Sequence, residues 1–150
     1  MPLAHGDDAP EVAAPNQDGE TVRPDFASPT VVYFYPKDGT PGCSTEARQF
    51  QAELESYRDA GVDVYGVSAD TVADHREFAD DEGLDFDLLA DPDGEVADAF
   101  DVDRRSGGVT ERTTFVLADG EVHDVYEGVD SDGHAREVLG DLLDDGLASL

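Results

Sequence analysis

The sequence predicts an α/β fold in which a mixed β-sheet is flanked by helices. Short apolar segments typical of buried strands alternate with amphipathic segments at helical spacing, and Asp119-Gly120 indicates a hairpin near the end of the chain. A chain of 150 residues, 39% of them hydrophobic, can bury one core and is too short for two ordinary domains. We therefore expect residues 1–150 to form a single domain.

The first third of the chain predicts a small hairpin followed by a central strand. Asn16-Gln17-Asp18-Gly19 separates two short candidate strands, which indicates a hairpin. The run from Val31 to Tyr35 is β-branched and aromatic without interruption, as in a strand that is buried on both faces. Pro36 ends this strand because it has no backbone N–H to donate.

A helix is predicted directly after this strand. Thr40 is a candidate N-cap and Pro41 suits the first helical position. Apolar residues then recur on one helical face, at Ala47, Phe50, Leu54 and Tyr57. Gly61 suits the end of the helix and 62–68 forms a second strand, so the three elements make a βαβ unit.

The rest of the chain continues the alternation. The predicted elements are a helix over 72–82 ended by Gly83, a strand over 87–90, a short helix over 95–100, a strand over 112–117 and a return strand through Val122 and Val125. A last helix places apolar residues on one face, at Ala135, Val138, Leu139, Leu142 and Leu143. Two arginines and Gly107-Gly108 predict a mobile loop over 101–110.

The only cysteine, Cys43, falls in the first turn of the first predicted helix. Unpaired backbone N–H groups and the positive end of the helix dipole favour the thiolate there, and only the thiolate is a nucleophile. A lone cysteine is otherwise most often a buried, inert hydrophobe. The neighbours Gly42, Ser44 and Thr45 do not form an apolar run, so we expect an accessible and reactive sulfur.

The residues around Cys43 resemble a known family. The pattern Pro36-x-x-x-Thr40-x-x-Cys43 resembles the active-site motif of the peroxiredoxins. The longer run 31–50 resembles the peroxiredoxin Q branch, also called bacterioferritin comigratory protein. The segments 112–120 and 133–139 resemble the same branch at the expected distances, so nearly the whole chain is covered.

This resemblance implies a thioredoxin-like fold with an N-terminal β-hairpin extension. A thioredoxin itself would carry Cys-x-x-Cys here, whereas the second of these positions is Glu46. The resemblance also implies a thiol-dependent peroxidase without a prosthetic cofactor. The Cys43 thiolate would attack hydrogen peroxide or an organic hydroperoxide, release water or an alcohol, and become a sulfenic acid.

The family pattern implies supporting roles for four further residues. Arg112 would stabilise the thiolate and hold the peroxide, while Glu46 would orient this arginine. The Thr40 hydroxyl would donate to the peroxide, although as an N-cap it would accept from the Cys43 N–H instead. Pro36 would shield the sulfur from water. Without the resemblance, Arg112 is more simply a surface charge paired with a carboxylate.

The sequence departs from the family in its cysteines. Many members of this branch have a resolving cysteine five residues after the reactive one, where this chain has Arg48. The reductant of oxidised Cys43 would then be an external thiol, either a low-molecular-weight thiol or a thioredoxin-like protein, or Cys43 of a second subunit. The chain could be a monomer or a homodimer. Without a fast resolver, we expect over-oxidation to sulfinic acid.

A second class of function stays open for the same cysteine. In a redox sensor or thiol-exchange binding protein, oxidised Cys43 would form a mixed disulfide with a client protein. A peroxidase turns over with excess thiol, whereas a sensor reacts once and changes its binding partner.

The chain is extremely acidic, with 37 Asp and Glu against 9 Lys and Arg and a net charge of −28. At molar salt the Debye length falls to about 3 Å, and the repulsion within such a surface is screened. We therefore expect a halophilic protein from a salt-accumulating cytoplasm. Nucleic acids and anionic membranes are poor partners for this surface. One cysteine and the lack of an apolar leader also favour the cytoplasm.

No metal or nucleotide site is predicted. The four histidines lack metal-ligand spacing, and we expect them to be solvent-exposed or structural. They are His5, His75, His123 and His134. Asp91-Pro92-Asp93-Gly94 lacks the rest of a calcium loop and predicts a turn, and Gly107-Gly108 does not follow a strand as a phosphate loop would.

Overall fold

The computed structural model describes residues 2–105 and 108–149. Its strands are β1 (Ala14–Pro15), β2 (Thr21–Val22), β3 (Thr30–Phe34), β4 (Asp63–Ser68), β5 (Asp87–Ala90), β6 (Thr113–Ala118) and β7 (Glu121–Glu127). Its helices are α1 (Pro41–Ala52), α2 (Leu54–Asp59), α3 (Val72–Glu82), α4 (Glu95–Ala99) and α5 (His134–Asp144). Within this part of the chain, no helix is both long enough and apolar enough to span a bilayer.

Five strands form one mixed sheet in the order β5-β4-β3-β6-β7. The central strand β3 runs parallel to β4 and antiparallel to β6, which confirms the predicted βαβ unit. Asp119 and Gly120 both adopt positive φ, at 57° and 75°, as a tight hairpin between β6 and β7 requires. The mixed sheet flanked by helices agrees with the fold class that the sequence predicts.

The core lies on both faces of this sheet, because the side chains of β3 alternate between them. Val31 and Tyr33 pack with Phe50 of α1 and with α5 on one face. Val32 and Phe34 pack on the other face with α4 and β6. Each of these four strand residues is almost completely buried, as the uninterrupted apolar run predicts.

The predicted hairpin at Asn16–Gly19 is present, with β1 antiparallel to β2. It also covers an edge of the main sheet. The Gln17 side chain donates to the Phe86 carbonyl at 3.0 Å and accepts from the Leu88 N–H at 2.9 Å, so it pairs with β5 as a further strand would. Covering an edge in this way removes a template for aggregation.

The structure corrects the prediction of one long helix after β3. The helix stops at Ala52 and resumes at Leu54, because Glu53 leaves the helical region with φ −95° and ψ 0°. Leu54 and Tyr57 remain buried, and the Tyr57 hydroxyl donates to the Ala135 carbonyl of α5 at 2.5 Å. This contact joins residues far apart in the chain, so helical periodicity does not contain it.

The other predicted boundaries agree with the structure to within about one residue. In the predicted loop over 101–110, Arg104 and Thr110 form an isolated bridge and the Arg105 N–H donates to the Val109 carbonyl at 2.7 Å. Gly107 lies outside the described residues. The mobility of this loop stays a prediction.

Two glycine substitutions should change stability in opposite directions. A Cβ at Gly66 of β4 would lie 2.8 Å from Tyr33 Cζ and 3.0 Å from Leu88 Cδ2. Tyr33 is stacked on Phe50 with ring centroids 4.5 Å apart and cannot move aside easily. Gly66→Ala should therefore lower the unfolding free energy by about 1–3 kcal/mol. Denaturant titration measures this change.

Gly140→Ala is the matched control for this substitution. Within the described residues, a Cβ at Gly140, inside α5, would meet no heavy atom within 4 Å beyond the nearby backbone of its own helix. Alanine should therefore raise the unfolding free energy by about 0.5–1 kcal/mol through its better helix propensity. Equal effects of the two substitutions would contradict the close packing over Gly66.

Candidate active site

The segment between β3 and α1 delivers Cys43 to the start of a helix. Gly39 turns the chain with φ 80°, Thr40 is extended, and Pro41 is the first helical residue. The first helical hydrogen bond runs from the Ser44 N–H to the Thr40 carbonyl at 2.9 Å. Cys43 therefore lies in the first turn of α1, as the sequence predicts.

Thr40 occupies the N-cap position but does not cap the helix with its side chain. Its hydroxyl donates to the Lys37 carbonyl at 2.9 Å and so closes the turn in front of α1. The predicted acceptance from the Cys43 N–H is not formed. The donor is already used within the turn, so a peroxide would have to compete with the Lys37 carbonyl for it.

The sulfur of Cys43 is much less accessible than the sequence predicts. Cys43 is only 1% exposed and belongs to the core cluster on the α1 face of the sheet. A buried thiolate is costly unless a positive group or a hydrogen-bond donor lies beside it. Here the Arg112 Nη2 donates to Cys43 Sγ at 3.1 Å. Cys43 is therefore as buried as an unreactive cysteine usually is, but it has beside it the positive charge that a reactive cysteine needs.

Arg112 joins the cysteine to a buried carboxylate. The Arg112 Nη1 donates to Glu46 Oε1 at 2.9 Å, so one guanidinium contacts two residues of α1 that lie three positions apart. Glu46 is 1% exposed, and within the described residues its Oε2 has no hydrogen-bond partner. Burial raises the pKa of Glu46 to about 7, although the charge and hydrogen bond of Arg112 lower it.

Gly42 makes room for this guanidinium, which sequence reasoning did not detect. A Cβ at Gly42 would lie 2.7 Å from Arg112 Nη2. A glycine is therefore required for the arginine to lie over the first turn of α1. The glycine directly before the cysteine was the available signal, but sequence alone does not show what approaches it.

Pro36 is half-buried and directly follows Tyr35, whose N–H donates to the Val67 carbonyl of β4 at 3.1 Å. Its position at the end of β3 agrees with the prediction. The structure thus brings Cys43, Arg112 and Glu46 into direct contact, while Thr40 and Pro36 form the two ends of the turn that leads to them.

The segment between β3 and α1 is also bonded to a buried histidine. His75 of α3 is 0% exposed, and its Nδ1 lies 2.6 Å from Asp38 Oδ2. Of the two alternatives for this histidine, exposed or structural, the structure shows burial. The signal was present in the sequence, because His75, Phe78 and Ala79 share one face of α3 at helical spacing.

One group of possible metal ligands converges within the described part of the chain. Single ligand atoms of Asp38, Asp70 and His75 lie within 4.8 Å of one another. These side chains already bond to other protein groups: His75 to Asp38 and the Leu89 carbonyl, and Asp70 to Ser68 and the Asp38 N–H. This arrangement is that of an internal hydrogen-bond network.

The other histidines differ in their surroundings. His134 is buried at the start of α5, where its Nε2 lies 2.9 Å from Thr114 Oγ1, and burial lowers its pKa. His5 is exposed, and its Nδ1 lies 2.6 Å from the carbonyl of the half-buried His123.

Comparison with known proteins places this arrangement in a family. The sequence model of the AhpC/TSA family matches residues 5–125. Peroxiredoxin Bcp of Escherichia coli (strain K12) is 39% identical over 147 residues, which cover 92% of this chain and 94% of the relative. The chain belongs to the AhpC/TSA family and is a peroxiredoxin.

Two solved structures support this family assignment. Peroxidoxin BcpB of Mycobacterium tuberculosis superposes with a TM-score of 0.88 at 33% identity, covering 95% of this peroxiredoxin and 97% of the other chain. The bacterioferritin comigratory protein of Xanthomonas campestris gives a TM-score of 0.82 at 34% identity, covering 89% and 91%. The family, its branch and the thioredoxin-like fold inferred from the sequence are thereby confirmed, and the chain is a thiol-dependent peroxidase.

Replacing Glu46 should change how the stability of this peroxiredoxin depends on pH. Its folded-state pKa of about 7 exceeds the ordinary 4.5, so the folded protein keeps a proton that the unfolded chain releases between these values. The unfolding free energy should therefore fall as the pH rises through this interval, by up to about 3 kcal/mol from this group. Glu46→Gln lacks this proton equilibrium. As the pH rises, the difference in unfolding free energy between the two proteins should therefore shift in favour of the variant.

Denaturant titrations of both proteins from about pH 4 to about pH 8 measure this difference. Glu55→Gln, at an exposed position of α2, is the control for the loss of one negative charge. A difference between wild type and Glu46→Gln that stays constant across the interval would show that folding does not raise the pKa of Glu46.

Proposed function

We propose that this protein is a one-cysteine peroxidase that reduces hydrogen peroxide and organic hydroperoxides at Cys43. The carrying observation is the 3.1 Å contact between Arg112 Nη2 and Cys43 Sγ, because it sets a permanent cation beside a nearly sealed sulfur. The solved structure of the Xanthomonas campestris relative concerns its alkyl peroxide reduction activity, which supports organic hydroperoxides as substrates.

In the proposed first step the Cys43 thiolate attacks the terminal oxygen of the peroxide. An S–O bond forms, the O–O bond breaks, and its electron pair leaves with the departing oxygen, which takes a proton and becomes water or an alcohol. Negative charge spreads over sulfur and two oxygens as this happens. The Arg112 guanidinium and the backbone N–H groups of the first turn of α1 are fixed donors for this charge.

The same geometry supports proposed roles for three further residues. Glu46 accepts from the Arg112 Nη1, while the Nη2 of the same guanidinium contacts the sulfur, and so acts as a positioning residue for Arg112. Thr40 can donate to the bound peroxide when its hydroxyl turns from the Lys37 carbonyl. Pro36 helps to limit the access of water where β3 ends.

The proposed second step needs an external thiol, because the chain has one cysteine. A thiolate attacks the sulfur of the Cys43 sulfenic acid, an S–S bond forms, and the S–O bond breaks to release hydroxide, which takes a proton and becomes water. A second thiol then reduces the mixed disulfide. The position of a resolving cysteine in related chains is Arg48, which is exposed and pairs with Glu82 of α3. A low-molecular-weight thiol or a thioredoxin-like protein of a reducing cytoplasm would suit, and no prosthetic group is required.

Peroxide consumption by the wild type and Cys43→Ser tests this function. With excess dithiothreitol as the probe thiol, the wild type should consume many equivalents of hydrogen peroxide, and the serine variant should show only the uncatalysed rate. Consumption of a single equivalent by the wild type, with Cys43 left oxidised despite the excess thiol, would instead indicate the redox sensor. Equal rates for the two proteins would refute both functions.

Gly42→Ala should slow peroxide reduction while the protein remains folded. The new Cβ would displace the Arg112 guanidinium from Cys43 Sγ, and the end of a long side chain can move without a rearrangement of the backbone. The rate constant for peroxide reduction should fall on the order of tenfold to a hundredfold. Single-turnover stopped-flow measures it, with Gly140→Ala as the control.

A further inference from the structure

A buried imidazole lies against the turn that precedes the reactive cysteine. The ring of His75 is fully buried between Asp38 and the backbone of β5. Its Nδ1 lies 2.6 Å from Asp38 Oδ2 and its Nε2 lies 3.1 Å from the Leu89 carbonyl oxygen. Neither Thr40, Arg112 nor Glu46, the residues assigned to the reaction above, explains why this polar group is buried here.

The hydrogen-bond partners fix where the protons are. A carbonyl oxygen can only accept, so the Nε2 of His75 carries a proton. The 2.6 Å separation on the other side requires one more proton, held between Nδ1 and Asp38 Oδ2. The Tyr35 hydroxyl donates to the other oxygen of Asp38 at 2.6 Å. The Asp38 carboxylate is thus held by two buried groups at once.

The backbone of Asp38 is held as well. Its N–H donates to Asp70 Oδ2 at 2.8 Å, and the Ser68 hydroxyl donates to the same oxygen at 2.5 Å. Asp38 is therefore attached to Tyr35 directly after β3, to Asp70 shortly after β4 and to His75 of α3, although it belongs to a turn between elements. Thr40 follows two residues later, and its hydroxyl bonds back to the Lys37 carbonyl across Asp38.

We propose that His75 and Asp38 are positioning residues for the peroxidase reaction, since their hydrogen bond fixes the turn that sets Cys43 against Arg112. Cys43 lies in the first turn of α1, directly after this turn, whereas Arg112 lies directly before β6. The 3.1 Å contact between them depends on both supports. Loss of the Asp38 anchor lets the first turn of α1 shift, and a shift of about 1 Å at a reacting atom can cost a hundredfold in rate.

Two substitutions of His75 separate this role from simple packing. His75→Asn places an amide N–H near the position of Nδ1 and can still donate to Asp38, but it loses the bond to Leu89. His75→Gln places its amide near Nε2 and can still donate to the Leu89 carbonyl, but it loses Asp38. Asparagine leaves the larger cavity, so packing alone predicts that it is the more damaging change.

The positioning role predicts the opposite order for reactivity. The single-turnover rate constant with hydrogen peroxide should be on the order of tenfold lower in His75→Gln than in His75→Asn, both measured where circular dichroism shows folded protein.

Asp38→Asn can still bond to a neutral His75 and to Tyr35, so it should react faster than Asp38→Ala. The double variant Asp38→Ala/His75→Gln should react no more slowly than Asp38→Ala, because each of the two substitutions already removes the hydrogen bond between residues 38 and 75.

The proposal would be overturned if the rate constants followed the stabilities, so that His75→Asn reacted more slowly than His75→Gln. It would also be overturned if His75→Gln reacted as fast as the wild type. The proposal rests on the proposed function, so a second readout is independent of peroxide. Hydrogen exchange of the Ser44 amide, which donates to the Thr40 carbonyl, should be faster in His75→Gln than in His75→Asn. Failure of the wild type to turn over would refute the peroxidase, whereas equal exchange in the two variants would refute the positioning.

Discussion

The structure depends on one guanidinium that is shared between a thiol and a carboxylate inside a nearly sealed site. Arg112 contacts both Cys43 and Glu46, and without it either group would be an unpaired buried charge when ionised. The sheet makes this contact possible. Because β3 and β6 are antiparallel and Phe34 lies opposite Thr113, the start of β6 adjoins the end of β3, where the chain turns into α1. Sheet register thereby brings together residues 69 positions apart.

The first turn of α1 and the turn before it are held by polar contacts on two different sides. On the β6 side, Arg112 reaches over Gly42 to the sulfur. On the β4 and α3 side, Asp38 bonds to His75, while its N–H bonds to Asp70. Buried polar groups cost free energy unless they are satisfied, so such networks hold a segment in one arrangement more sharply than apolar packing does. A reaction that depends on short distances benefits from this kind of support.

The interior of the site contrasts with the surface of the molecule. The net charge is −28, and several arginines lie on the surface in pairs with carboxylates, among them Arg48 with Glu82, Arg136 with Glu53 and Arg105 with Glu111. Exposed pairs of this kind add little stability and leave the surrounding field strongly negative. Arg112 is more buried than these residues, so its charge is less screened by solvent and acts on the sulfur at short range. A neutral peroxide is not repelled by the acidic surface.

The sequence by itself determined the order of the strands, the buried central strand, both hairpins, the family and the place of Cys43 in a first helical turn. These features depend on local periodicity, turn residues and a contiguous motif, which one stretch of chain contains. Only the tertiary structure decided that the sulfur is sealed, that the Thr40 hydroxyl bonds within its own turn, that Gly42 admits Arg112, and that His75 anchors Asp38. Each of these depends on how close two distant segments come, and this distance is set by sheet register and helix packing rather than by local sequence.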